Sequence, residues 1–136
     1  MNVDQLSAQL TIDEGKRKRI YVDSVGKVSG GVGRNLTDRG FSDDEIQLML
    51  TNDIDMVCDQ LDTLLPWWKQ MTDRRMQALA NLCFNLGITT LMTFKNSLAL
   101  LRAGKYDQAA DAFMDSKWAR QVGNRAVRVT TMIREG

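Results

Sequence analysis

The chain has 136 residues, of which 43% are apolar and 26% charged, and a net charge of +1. This length suits one domain that buries roughly two-thirds of its unfolded surface, so neither a metal nor a disulfide is needed to hold a core. Near-neutral charge argues against global attraction to nucleic acid, and the absence of histidine and of any Cys-x-x-Cys spacing argues against a zinc site or a histidine base.

In chain order, Val3, Leu6 and Leu10 mark one face of a short N-terminal helix that Gly15 closes. The run Lys16-Arg17-Lys18-Arg19 reads as a solvated loop, with anion binding as the sharper alternative. Ile20 to Leu36 predicts a small antiparallel sheet: "IYVD" goes out, "SVGK" turns and "VSGGVG" returns. Gly30, Gly31 and Gly33 clear side chains from one edge, which lets a backbone or a ligand come close.

"SDDE" from Ser42 to Glu45 is a capping box. Ile46, Met49, Leu50, Ile54, Val57, Leu61 and Leu64 then recur at helical steps, so the spacing predicts a long amphipathic helix that Pro66 ends. Thr72 caps a helix containing "MQALANLCFNL", apolar nearly all round and the candidate for a central buried element, and Gly87 stops it. Shorter helices are predicted over 95–103, 106–115, 116–121 and 124–134. Trp67, Trp68 and Trp118 read as packing residues ahead of sugar-stacking ones, and Cys58 and Cys83 as buried free thiols.

The predicted class is α+β, mainly helical: a two-lobed single domain over 1–136. Residues 14–41 form a sheet-bearing N-terminal lobe, 42–65 a connecting helix and 66–136 a helical C-terminal lobe, joined by the N-terminal helix 1–13. The mouth between the lobes is the expected site. In residues 117–136, Lys117, Arg120, Arg125, Arg128 and Arg134 face one acid, Glu135. That pattern fits an anionic partner or a solvated helix face. No apolar run approaches the ~20 residues that span a bilayer, and no signal-peptide core is evident.

The segment "IDEGKRKRIYVDSVGKVSGGVGRNLT" resembles the N-terminal active-site segment of phage-type lysozymes, the endolysins. Glu14, Gly15, Asp23 and Gly31-Val32-Gly33 match its pattern, and Ser29 stands where threonine is usual. "ALANLCFNLG", "TFKNSL" and "SKW" followed by "NRAVRV" resemble later landmarks, in order. The resemblance implies a lysozyme-like fold and hydrolysis of peptidoglycan between N-acetylmuramic acid and N-acetylglucosamine, by inversion. It implies no cofactor, no metal, no nucleic-acid partner and no stable membrane insertion. A monomer is the default, held in the host cytoplasm until a holin-type lesion releases it to the wall.

A glycosidic bond breaks through an oxocarbenium-like state, so one carboxyl must protonate the leaving oxygen while another activates water or steadies positive charge. The resemblance makes Glu14 the general acid, Asp23 the base or electrostatic partner and Ser29 the group that holds water. Partial burial of Glu14 beside the apolar "LTI" and "IYV" would suit it to donate a proton. Gly31, Gly33, Phe84 and Ser97 are implied to line the sugar site, and Arg125 to support Glu14. Arg34 is implied to pair with Asp53 on the long helix. Gly30 stands where a bulky apolar residue is usual, which leaves the core of the small lobe short of a side chain. Two rivals remain: a wall-binding protein of the same fold with weak or no activity, and a nucleic-acid module built on the basic C-terminal helix.

Overall fold

Glycines and side-chain caps cut this chain into its elements. In the computed structural model, which describes residues 1–136, helix α1 (Val3–Glu14) starts where the Asn2 side chain accepts the Gln5 amide. It stops at Gly15, whose φ of 78° suits a residue without a Cβ. Strands β1 (Lys16–Val22), β2 (Val28–Val32) and β3 (Arg34–Asn35) follow, and then the short helix α2 (Leu36–Arg39). The long helix α3 (Asp43–Leu64) opens on the expected capping box: Ser42 donates its amide to Glu45 Oε1 at 2.7 Å, and the Glu45 amide returns to Ser42 Oγ at 3.3 Å. A 3-10 turn (Pro66–Gln70) leads into α4 (Asp73–Leu86), α5 (Ile88–Leu91), α6 (Lys95–Arg102), α7 (Tyr106–Met114), α8 (Lys117–Val122) and α9 (Asn124–Glu135). The protein is thus α+β, mainly helical, with one small antiparallel sheet. No helix is long and apolar enough to cross a membrane. The chain divides into two compact units, Met1–Leu48 and Met49–Gly136.

In the first unit the sheet order is β1-β2-β3. β1 pairs with β2 through Lys16↔Val32, Arg17↔Gly31, Tyr21↔Ser29 and Val22↔Val28. Between Arg17 and Tyr21, β1 carries Lys18, Arg19 and Ile20 opposite Gly30 alone, so the strand bulges there. The basic run therefore lies on a strand, where a loop was predicted. Lys16 and Arg17 pair with β2, and the side chains of the whole run meet water as those of an edge strand can. The apolar positions of α1 were expected to mark a packed face, yet none of its residues is buried.

The same unit explains Gly30. A Cβ there would meet Leu36 Cδ1 at 3.5 Å and Ile20 Cγ2 at 3.6 Å, so these two side chains already occupy the room that a bulky residue would fill. Leu36 belongs to α2, which the sequence reading missed. Asn35 caps that helix by accepting the Asp38 amide, and Thr37 Oγ1 accepts the amide of Val28 on β2 at 2.8 Å.

In the second unit the core gathers Leu79, Leu82, Leu91, Leu101, Phe113 and Ile133, all nearly or fully sealed from solvent. Phe94 stacks on Phe113 with ring centroids 5.7 Å apart. Helix α4 buries Ala78, Leu79, Leu82 and Cys83, but leaves Gln77, Asn81, Phe84 and Asn85 exposed. It is amphipathic rather than apolar all round, because its polar positions recur one turn apart on one side. Trp68 and Trp118 are core residues, each tied by its indole N–H, to Asp62 and to Asn85 respectively. Cys83 is buried and Cys58 half-buried; both are free thiols, and burial pushes both up from the ordinary thiol value.

Candidate active site

The turn after β1 fixes Asp23. Its Oδ1 accepts the amides of Val25 at 3.0 Å and Lys27 at 2.9 Å, and its backbone N–H bonds the Lys27 carbonyl. An aspartate favours this geometry because its short side chain closes the turn on its own backbone. One carboxylate oxygen is thereby committed to the fold, and no protein group hydrogen-bonds the other. Asp23 is half-buried one residue beyond the end of β1.

Glu14 is the last residue of α1 and is exposed, not partly buried as the sequence reading had it. The cause is local: α1 has no buried face, so its final side chain lies in solvent. The carboxyl is nonetheless seated against the backbone of Gly33. A Cβ built on Gly33 would stand 2.8 Å from Glu14 Oε2 and 2.9 Å from Glu14 Cδ. Gly33 has a φ of 62°, as does Gly31 within a degree at 61°, but a Cβ on Gly31 would meet nothing within 4 Å.

Ser29 lies on β2 between Tyr21 of β1 and Asn35 of β3, and is 6% exposed. Its hydroxyl takes no protein hydrogen bond. No sealed polar side-chain atom in the protein lacks a partner, so Ser29 Oγ keeps access to water. The first unit thus carries Glu14, Asp23 and Ser29, with Gly31 and Gly33 on the same hairpin arm or just beyond it.

Arg34 forms an ion pair with Glu45 and donates to the Gly40 carbonyl. The resemblance pairs this arginine with Asp53 of the long helix; the helix does supply the partner, but from its first turn. The Arg34 guanidinium, then the Ser42 amide and hydroxyl, hold the Glu45 carboxyl down to about 2. Glu45 in turn raises Arg34. The capping box was legible in sequence, whereas the second duty of its glutamate was not.

In the second unit, Phe84 is 45% exposed and lines a groove of about 380 Å³ with Leu50, Ile54, Asn81 and Arg125. Arg125, half-buried on α9, donates Nε to Asn81 Oδ1 at 3.0 Å. Asn81 was absent from the sequence reading, since a lone asparagine on a helix carries no signal of its own. Ser97 is only 5% exposed on α6, among core residues, which leaves it little surface for a sugar. The structure gathers no group of three or more potential metal ligands.

Comparison with known proteins gives a consistent picture. The phage lysozyme family model matches residues 11–134. The probable T4-type lysozymes 1 and 2 of Dictyostelium discoideum are each 24% identical, over 98% of this chain and 96% of the relative. The pre-baseplate central spike protein Gp5 of Enterobacteria phage T4 is 25% identical over 96% of this chain, which spans 28% of that longer protein.

Proposed function

Because this chain belongs to the phage lysozyme family, we propose that it is a muramidase, hydrolysing bacterial peptidoglycan between N-acetylmuramic acid and N-acetylglucosamine. The observation that carries the reading is the family match spanning residues 11–134, which takes in both carboxylates and the serine of the first unit.

Glu14 acts as general acid and protonates the leaving oxygen, a role that contributes on the order of a hundredfold to ten-thousandfold in rate. Since Glu14 is exposed, water is driven from it by the bound glycan rather than by the fold. Asp23 works through the carboxylate oxygen that the turn leaves free, as a base for water or as a negative field beside the developing cation. Ser29 Oγ, unclaimed by protein, helps hold the attacking water. Loss of the methyl that threonine would carry leaves this hydroxyl freer to rotate. The reaction inverts the anomeric centre in a single displacement. In a bacterial host, the protein waits in the cytoplasm until a holin-type lesion opens a path to the wall.

The test is clearance of a peptidoglycan suspension between about pH 4 and 8, by wild type and by Glu14→Gln. Wild type clears and the variant falls at least about a hundredfold while remaining folded. A wild type that pellets with walls yet clears nothing would move the assignment to a wall-binding protein. Proton NMR of the first-formed product reports the anomer and so decides the inversion.

A further inference from the structure

We infer that Gly33 is a positioning residue for the Glu14 carboxyl: its bare Cα forms the seat on which that carboxyl rests. The kinetic part of this inference rests on the muramidase reading; the structural part does not.

Three observations converge on one atom-sized space. Gly33 follows β2 directly and precedes β3, so paired backbone on both sides fixes its Cα. A Cβ there would come within 2.8 Å of Glu14 Oε2 and 2.9 Å of Cδ, distances at which a real methyl forces something to move, and within 3.0 Å of Glu14 Cβ, a contact tight enough to need a small give. Glu14 ends its helix and is exposed, so its carboxyl end can swing away, while its Cβ, held by the helix backbone, requires the last turn of α1 to give by a few tenths of an ångström as well. Gly31, two residues earlier, has the same sign of φ and open space where its Cβ would be. Positive φ alone would therefore explain Gly31; Gly33 answers in addition to a neighbour.

The chemistry makes this consequential. A proton donor must lie within hydrogen-bond reach of the leaving oxygen, and a displacement of ~1 Å costs about a hundredfold in rate. Swinging the exposed carboxyl aside costs the fold little, so a methyl at this position should act on stability through backbone strain and the small give of the α1 end that Glu14 Cβ requires. It should spare ground-state glycan binding, because Glu14 matters most once charge develops on the leaving oxygen.

The experiment compares Gly33→Ala with Gly40→Ala. Gly40 has a φ of 65° and nothing within 4 Å of a built Cβ, so its alanine variant carries the strain without the collision. Both variants are expected to stay folded with a lower Tm than wild type. On solubilised peptidoglycan, Gly33→Ala should lose about a hundredfold in kcat with KM within about twofold of wild type, while Gly40→Ala keeps kcat within about twofold. Retention of kcat by folded Gly33→Ala would overturn the inference. So would a rise in KM at constant kcat, which would mark Gly33 as room for sugar. Independently of activity, wild type should give NOEs from the Gly33 α-protons to the Glu14 β- and γ-protons. Their absence would overturn the seat even if Gly33→Ala fails to fold. An inactive wild type that keeps these NOEs would refute the muramidase reading and leave the seat standing.

Discussion

Arg75 pins the end of the last helix. Its Nε donates to the Ile133 carbonyl at 2.7 Å, its Nη2 to the Arg134 carbonyl at 3.0 Å, and its guanidinium carbon lies 3.5 Å from the centre of the Tyr106 ring. Carbonyls in a final turn lack partners within the helix, and a cation there also meets the negative end of the helix dipole. Each charge-assisted hydrogen bond is worth about 1.5 kcal/mol and a half-exposed cation–π contact about 0.5–1 kcal/mol. These terms overlap, so Arg75→Ala should cost about 2–3 kcal/mol. With an unfolding entropy of about 2.1 cal/mol/K per residue, that lowers Tm by about 9 °C in a chain of this size. Arg75→Lys keeps the charge but loses the fork, and should recover less than half of the loss. Tyr106→Leu should lose about 1 kcal/mol, from the ring contact alone. Calorimetry or circular dichroism reads all three. A drop below about 3 °C for the alanine variant, or full recovery by lysine, would refute the account of a forked donor closing a helix end.

The depressed Glu45 carboxyl predicts a pH signature. Because its folded-state value lies near 2 against an ordinary 4.5, its contribution to stability is complete above about pH 4.5 and disappears as pH falls toward 2. Glu45→Gln should flatten the stability profile across that window, measured as urea midpoints; an unaltered profile would contradict the Arg34 pairing. Asp23→Asn keeps an oxygen for the Val25 and Lys27 amides, so it should hold its Tm within about 2 °C while wall clearance falls at least about a hundredfold. Asp23→Ala should lose both activity and turn stability, and the paired assays separate the two duties. Trp118→Phe removes the indole bond to Asn85 and part of a buried ring, and should cost about 1–2 kcal/mol by chemical denaturation.

Much of this was written where the chain has punctuation. Gly15, Ser42, Pro66, Thr72, Gly87, Gly104 and Gly123 sit at element ends, because caps and left-handed residues act on their own neighbours and need no tertiary information. Helix α2 leaves no trace in the sequence pattern, because four residues give no period to read. β1 reads shorter in the sequence than it is, because four consecutive cations hide the two-residue alternation of a strand. Burial was harder still: α1 and the N-terminal part of α3 carry apolar residues at helical spacing, yet within α3 only Val57 and Leu61 are buried. Spacing tells which residues share a face, not whether that face is covered. In the candidate site, the residue types and order were visible in "IDEGKRKRIYVDSVGKVSGGVG". What no sequence pattern encodes is contact across strands: Glu14 with Gly33, Leu36 with the space beside Gly30, Arg34 with Glu45.

The bulged outer strand has a consequence for crowded solutions. β1 is the free rim of its sheet, and it presents Lys16, Arg17, Lys18 and Arg19 without an ion pair among them. A second molecule zipping onto that rim would bring its own quartet of like charges alongside, over a ladder already interrupted opposite Gly30. Repulsion and broken registry thus guard a sheet too small to bury its own border, and high salt, which mutes the first of these, is where such molecules would begin to stick.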